Sequence, residues 1–599
     1  GTEVTTGFNN TFIGSRSGDA ISTADNNVAV GFNSLGSDTK GDRSVALGSA
    51  ALATQNFTTT TDVYNTAVGY TAGFSITTGT LNTLIGGLTG DALTSGDSNT
   101  AIGYNSLTAD TQGDRNVAVG AFTLTTQNFT TSVDSYNTAV GFGAGNDIST
   151  GVQNTLVGGD AGGNITDADS NIALGYNALN VNTVGSRSVA IGAAALQNQD
   201  PATAANMYNV AVGYNSGNAV STGIRNNFFG AESGEAVTTG DDNIAIGYQT
   251  LTTETAGNRT VAIGNNALDA QNSTTDTNMY NVGVGYAAGG SVTSGQFNVL
   301  IGGLAGDALN DADDNIAIGT EALTTDDVGS RTIAIGSGAG YAQNTATASS
   351  PGNTLLGFQA GYHNVTGTSN TIIGYNAGAG ATGNSYSNIT AIGYNAGLSL
   401  TTGTENILLG SNAGDALNTG TQNIAIGVNA LGQETSGTYN VALGREALKT
   451  QNGGTYNIGI GRTAGMLITT GVNNVIVGGN AADALTTGDA NVALGKDALG
   501  ADTEGNKSIA IGLGALQTQN FTTDTDTFNV AVGHGVGASI TTGFINTLIG
   551  GESGDALTDG SANVAVGYNA LSSDTRGSRS IAIGRDALKT QNFSSTQTN

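Results

Sequence analysis

The sequence predicts an all-β chain, a parallel β-solenoid or β-roll of short coils. Three observations carry that reading. The fragment Asn-x-Ala-Ile-Gly recurs along all 599 residues. Each recurrence holds β-branched residues in a two-residue alternation closed by Gly, the pattern of a short strand cut off at a turn. Glycine reaches 94 residues while Pro is 2, Trp 0 and Cys 0, so large core side chains and disulfides are both scarce. Taking the closing Gly as a marker, Gly14 to Gly584, we count 33 copies and 32 intervals, of which 25 are 17 residues, six are 21 and one is 19. Repeats at a fixed short period are the signature of stacked supersecondary units.

Numbering each coil from its Asn, position 1 is Asn in 26 of 33 coils, which predicts an amide ladder satisfying turn backbone groups. Position 4 is Ile, Val, Leu or, once, Phe (Phe229), and position 2 is mostly Val, Ile or Thr. These two share one face of a strand, expected to point into the coil, and position 3 takes the other. Gly at position 5 and usually at 15 (Gly79, Gly96, Gly113) is expected where the chain turns with φ > 0. One such coil cannot bury a core, so each must close the one below. A helix is excluded, because Gly recurs too often and no 3.6-residue apolar stripe is present.

A second period lies over the first. The first five 21-residue intervals begin at Gly48, Gly120, Gly192, Gly264 and Gly336, 72 residues apart, so four coil types follow one another and the fourth carries four extra residues. The phase is irregular at about 353–405, and the fourth-type coil at Asn440 lacks its insertion. We therefore expect a single continuous array over 1–599, a fragment of a longer fibre.

Position 3 is Ala in most coils but bulky in the second type, at Leu84, Leu156, Phe228, Leu300, Leu408, Ile476 and Leu548. A strand apolar on both faces is buried on both. With positions 2 and 4 assigned inward, these seven residues are the expected interchain contacts, in a homotrimer around a threefold axis.

The runs Ser44 to Leu52 (SVALGSAAL) and Ser188 to Leu196 (SVAIGAAAL) resemble the repeat of trimeric autotransporter adhesin heads. The run Asn423 to Leu431 (NIAIGVNAL) is similar to the 17-residue repeats of bacteriophage tail fibres. The resemblance covers essentially the whole chain. It implies a trimeric β-roll with an extracellular, fibrous role, and it transfers no functional residue.

Charge and composition narrow the function. Lys+Arg 17 against Asp+Glu 46 gives −29, which opposes binding to nucleic acid or to anionic membrane, and no apolar run is long enough to span a bilayer. Two His and no Cys leave little for catalysis or for a zinc site. Gly459 to Ala464 formally fits a dinucleotide fingerprint, but that needs a strand–turn–helix unit, and here the glycines belong to the repeat. Acidic clusters at Asp167/Asp169, Asp311/Asp313/Asp314 and Asp524/Asp526 read as solvated turns, with calcium as the alternative. Thr-rich turns such as Thr77-Thr78, Thr401-Thr402 and Thr541-Thr542 lack the invariant spacing an ice-binding face requires.

Two further sets complete the candidates. In the third coil type an acid at position 12 precedes a base at position 17, five residues on. The pairs Asp110/Arg115, Glu254/Arg259, Asp326/Arg331 and Asp574/Arg579 are expected to form an exposed ion-pair ladder, with Asp38/Arg43 and Asp502/Lys507 alongside. The insertions (Thr126 to Tyr136, Gln197 to Tyr208, Gln271 to Tyr280, Gln519 to Phe528) are expected to bulge outward. The aromatic before the next coil, Tyr64, Tyr136, Tyr208, Tyr280 or Phe528, is expected to pack down as their anchor. The sequence thus leads to a non-enzymatic structural shaft of a phage tail fibre, with the chain itself as partner and no cofactor. The alternative is a bacterial surface adhesin or filament whose solenoid binds host glycan or protein.

Overall fold

The computed structural model describes residues 3–345, 347 and 349–594. Among them there are only strands, turns and bends, with no helix. The chain is a parallel β-solenoid of roughly 17-residue turns, divided into two compact units, Gly1–Phe297 and Asn298–Asn599.

In the first unit three-residue strands run from Thr11–Ile13 to Val282–Val284, and in the second from Val299–Ile301 to Ile581–Ile583. Within each unit neighbouring strands pair in parallel from one coil to the next, without slippage: Thr83↔Thr100, Leu84↔Ala101 and Ile85↔Ile102 in the first unit, Thr547↔Val564, Leu548↔Ala565 and Ile549↔Val566 in the second. The 17-residue coil is therefore the register: equal coil length brings identical positions opposite one another.

The inward face is the reverse of the one expected. Position 3 points into the coil: Ala101, Ala245 and Leu84 are fully buried, whereas Ile85 and Ile246 at position 4 are 37% and 39% exposed. Side-chain volume sets this choice. The coil interior is narrow, Ala at position 3 fits it, and β-branched residues at 2 and 4 must lie outside. The seven residues expected to meet other chains belong instead to the chain's own core, because Leu84, Leu156, Phe228, Leu300, Leu408, Ile476 and Leu548 are all 0% exposed. Their bulk answers a gap inside the coil. Position 9 is Gly in the first two coil types, apart from Ala482, and a Cβ at Gly73 or Gly90 would collide with the Leu84 methyls; Gly217 and Gly234 stand likewise against the Phe228 ring, and Gly537 and Gly554 against Leu548. Where position 9 is Leu, as at Leu107 and Leu124, position 3 returns to Ala.

The Asn ladder forms as expected. Asn82 Nδ2 donates to the Gly96 carbonyl at 2.8 Å, and its Oδ1 accepts the Asn99 backbone N–H at 3.0 Å, a pattern repeated at Asn99, Asn226, Asn474 and Asn546. Each buried amide thus ties two coils together, as a buried polar group must find partners. Gly at position 5 has φ of +143° at Gly86 and +141° at Gly103, conformations an L side chain rarely adopts. Gly at position 15 has a different reason: a Cβ on Gly79 would strike the Gly96 carbonyl of the next coil, so crowding selects glycine there. Left-handed turns fall instead at positions 7, 9 and 17, often on non-glycine residues such as Asn105 (φ 54°), Leu107 (φ 53°) and Arg115 (φ 59°).

The irregular stretch keeps its core by substitution. In the 19-residue interval Tyr386 is fully buried, its hydroxyl donates to the Gly378 carbonyl, and burial raises its pKa.

Candidate functional surface

Position 12 is a core position, and that separates the expected ion pairs. It is Leu93 or Ile76 in coils of the first two types, but Asp110 in the third and Gln127 in the fourth, all at 0% exposure. Asp110 accepts the Gly113 N–H at 3.0 Å, the Phe129 N–H at 3.2 Å and Gln127 Nε2 at 2.6 Å. The Gln127 Oε1 in turn accepts Asn137 Nδ2 at 2.9 Å. The same arrangement surrounds Asp38, Glu254, Asp326, Asp502 and Asp574. Burial holds the carboxyls of Asp38, Asp110 and Asp502 above the ordinary value of 3.8, against the lowering effect of those hydrogen bonds.

The bases at position 17 sit outside, on left-handed residues that aim the side chain away from the core. Arg115 pairs with Asp134 and Arg43 with Asp62, both acids of the inserted segment, while Lys507 reaches Asp526 at 2.6 Å. Arg259 lies 3.9 Å from Asp242 and Arg331 3.6 Å from Asp314, each in the preceding coil, and Arg579 gives its backbone N–H to the Ser561 carbonyl. The expected ladder is therefore wrong: its acids are internal struts, and its bases pair elsewhere. Lys507 lowers the pKa of Asp526.

One rung breaks the pattern. Asn182 stands where the acid should be, turns its amide onto Gly185, and leaves Gln199 Nε2 buried with no partner. No signal in a single coil announces this; only comparison across the 72-residue period does.

The insertions bulge outward as expected and close on a two-residue parallel pair, for example Gly113–Asp114 with Val133–Asp134. Their tips, such as Thr130 to Ser132 and Thr522 to Asp524, are exposed. The anchors are not the aromatics expected. Tyr64, Tyr136, Tyr208, Tyr280 and Phe528 are 46% to 51% exposed and lie under a cation, Arg43 to Tyr64 at 5.4 Å and Lys507 to Phe528 at 5.2 Å. The buried residues are the one just before, Val63, Met207 or Met279, and a second at the loop entrance, Phe57, Phe129 or Phe521. The left-handed φ at Tyr136 (48°) turns its side chain out and its predecessor in.

Among the described residues no group of three or more His, Asp or Glu could hold a metal ion. Asp169 caps the Val152 N–H at 2.8 Å and Asp524 accepts from Asn506, so these turn acids already serve the backbone and its neighbours. Gly459 lies inside the strand Ile458–Ile460, as repeat geometry requires. The Thr77 hydroxyl is spent on the Thr94 carbonyl at 3.1 Å. No described helix is long and apolar enough to cross a membrane.

What remains exposed is an apolar surface. Position 4 presents Leu47, Ile85, Val157, Phe229, Ile246, Leu409 and Leu494 at 37% to 44% exposure. Just past the Gly bend, position 6 is aromatic at Tyr70, Tyr104, Phe142, Tyr176, Tyr214 and Tyr248, at 47% to 64% exposure. Exposed apolar rows of this kind, present in each unit, are the patches that in proteins generally form contacts. No protein-family model matches the chain, and no curated protein matches it.

Proposed function

We propose that the chain is the structural shaft of an extracellular fibre assembled from copies of itself, three copies being the arrangement favoured. In a bacteriophage tail fibre such a shaft holds a receptor-binding tip away from the virion. The observation supporting this is the row of Ile, Val and Leu at position 4, which runs along coils whose own core is already closed. Inter-copy packing moves to this outer face once position 3 is assigned to the core. A shaft needs no catalysis or cofactor, and its regular coils suit that role. Sedimentation equilibrium tests the reading: the expected species has three times the 59.2 kDa chain mass, and a monomer at all concentrations overturns it. The second reading is a bacterial surface adhesin or filament, supported by the exposed insertion tips.

A further inference from the structure

In the first unit, position 6 alternates between large and small. Tyr70, Tyr104, Phe142, Tyr176, Tyr214 and Tyr248 occupy every second coil, and the coils between them carry Gly87, Ala121, Gly159, Ala193 and Ala231. Two strand spacings give a pitch of about 9.6 Å between rings held on one rigid sheet. The fold does not require these rings. In the second unit the equivalent position is Thr320, Val428, Arg462 or Lys496 in some coils of the same geometry, and aromatic in others, where Phe358, Tyr375 and Tyr394 stack in three consecutive coils.

Within the first unit the row is densest at one place. Phe122, from position 7 of the intervening coil, sits edge-on to Tyr104 and to Phe142, each at 5.6 Å between ring centroids, making a continuous aromatic strip across three coils. The strip opens into a depression of about 300 Å³ lined by Phe142, Asn146, Asp160, Asn164 and Asn180. Gly143 has φ +67°, and a Cβ there would meet the Asp160 carboxylate, so its absence keeps that floor open.

We propose that this strip binds a neutral, extended β-linked glycan, sugar rings stacking on Tyr104 and Phe142 and hydroxyls bonding to Asn146, Asp160 and Asn164. Aromatic faces bordered by a few convergent amides and a carboxylate are what a sugar's apolar face and hydroxyl rim require. A ligand that itself repeats along one axis fits rings at constant pitch, and weak contacts multiply along it. A protein interface concentrates its anchors near one centre instead. The net charge of −29 opposes an anionic polysaccharide. The proposal is independent of the shaft reading, since a monomer carries the same strip.

Affinity electrophoresis in gels containing glucomannan or hydroxyethylcellulose, with alginate as the anionic control, tests it. The full chain is expected to be retarded several-fold by the neutral glycans and not by alginate. The Tyr104→Ala/Phe142→Ala variant is expected to migrate freely with an unchanged circular dichroism spectrum. Phe142→Arg, which copies the residue at the equivalent Arg462, guards against misfolding and is expected to lose most of the retardation. Absence of retardation in both neutral gels, or equal retardation of the variants, overturns the proposal. So does a change in sedimenting mass on removing the rings, which would make the strip a contact between copies.

Discussion

Ala245 and Ile246 are neighbours in one strand and answer to different physics. Ala245 is fully buried against the next coil, so Ala245→Asp places a carboxylate without partners in the core, and loss of folding of the surrounding coils, several kcal/mol, is expected by thermal denaturation. Ile246→Asp is expected to leave the chain folded, changing its stability by less than about 0.5 kcal/mol, and to act on association. Equal melting of the two variants would contradict the assigned faces. The buried acids make a second residue-scale case. Asp38, Asp110 and Asp502 have folded pKa values above the unfolded 3.8, so their favourable contribution is complete below 3.8 and is lost as pH rises through the folded values. Replacing all three by Asn should flatten the fall in melting temperature as pH rises above 3.8; an unchanged slope would show that other groups set it. Asn182→Asp supplies the acceptor that Gln199 lacks and is expected to raise the melting temperature, whereas a fall would mean that desolvation outweighs the new bond.

At the scale of the element, the insertion is a loop pinned at both ends and free at its tip. Phe129, 6% exposed, holds the entrance, and its backbone N–H is bound by the buried Asp110. Phe129→Ala is expected to cost about 3 kcal/mol or more through the cavity it leaves. Tyr136→Ala removes an exposed cation–π contact and is expected to cost only about 0.5–1 kcal/mol. Chemical denaturation of the two variants separates them, and a larger loss at Tyr136 would restore the aromatic as anchor. At third-to-fourth coil steps the acid, the Gln and the following Asn form one internal polar chain beneath the insertion, although the insertion from Gln197 to Tyr208 recurs where Asn182 replaces the acid.

For the whole molecule, charge and apolar surface oppose one another. A chain of −29 repels its copies, while the position 4 row favours their contact. Association is therefore expected to strengthen with salt, as screening removes repulsion and leaves apolar burial intact. Sedimentation at low and high salt measures this, and dissociation by salt would point to ion pairs as the contact.

The sequence by itself determined the coil, its length, its parallel register, the Asn ladder and the outward course of the insertions. Each of these follows from local periodicity, because stacking equal repeats leaves one way to align them. It did not determine which strand face is inside. A two-residue alternation says only that positions 3 and 4 differ, and with both faces apolar the usual rule of polar-outward has nothing to act on. The tertiary structure decided it by volume: a narrow coil admits Ala at position 3 and, where Gly73 and Gly90 vacate space, Leu84. The fate of the acids turned on the same point, since five residues of separation between Asp110 and Arg115 suggested a pair, and only the closed coil shows position 12 pointing in and position 17 pointing out.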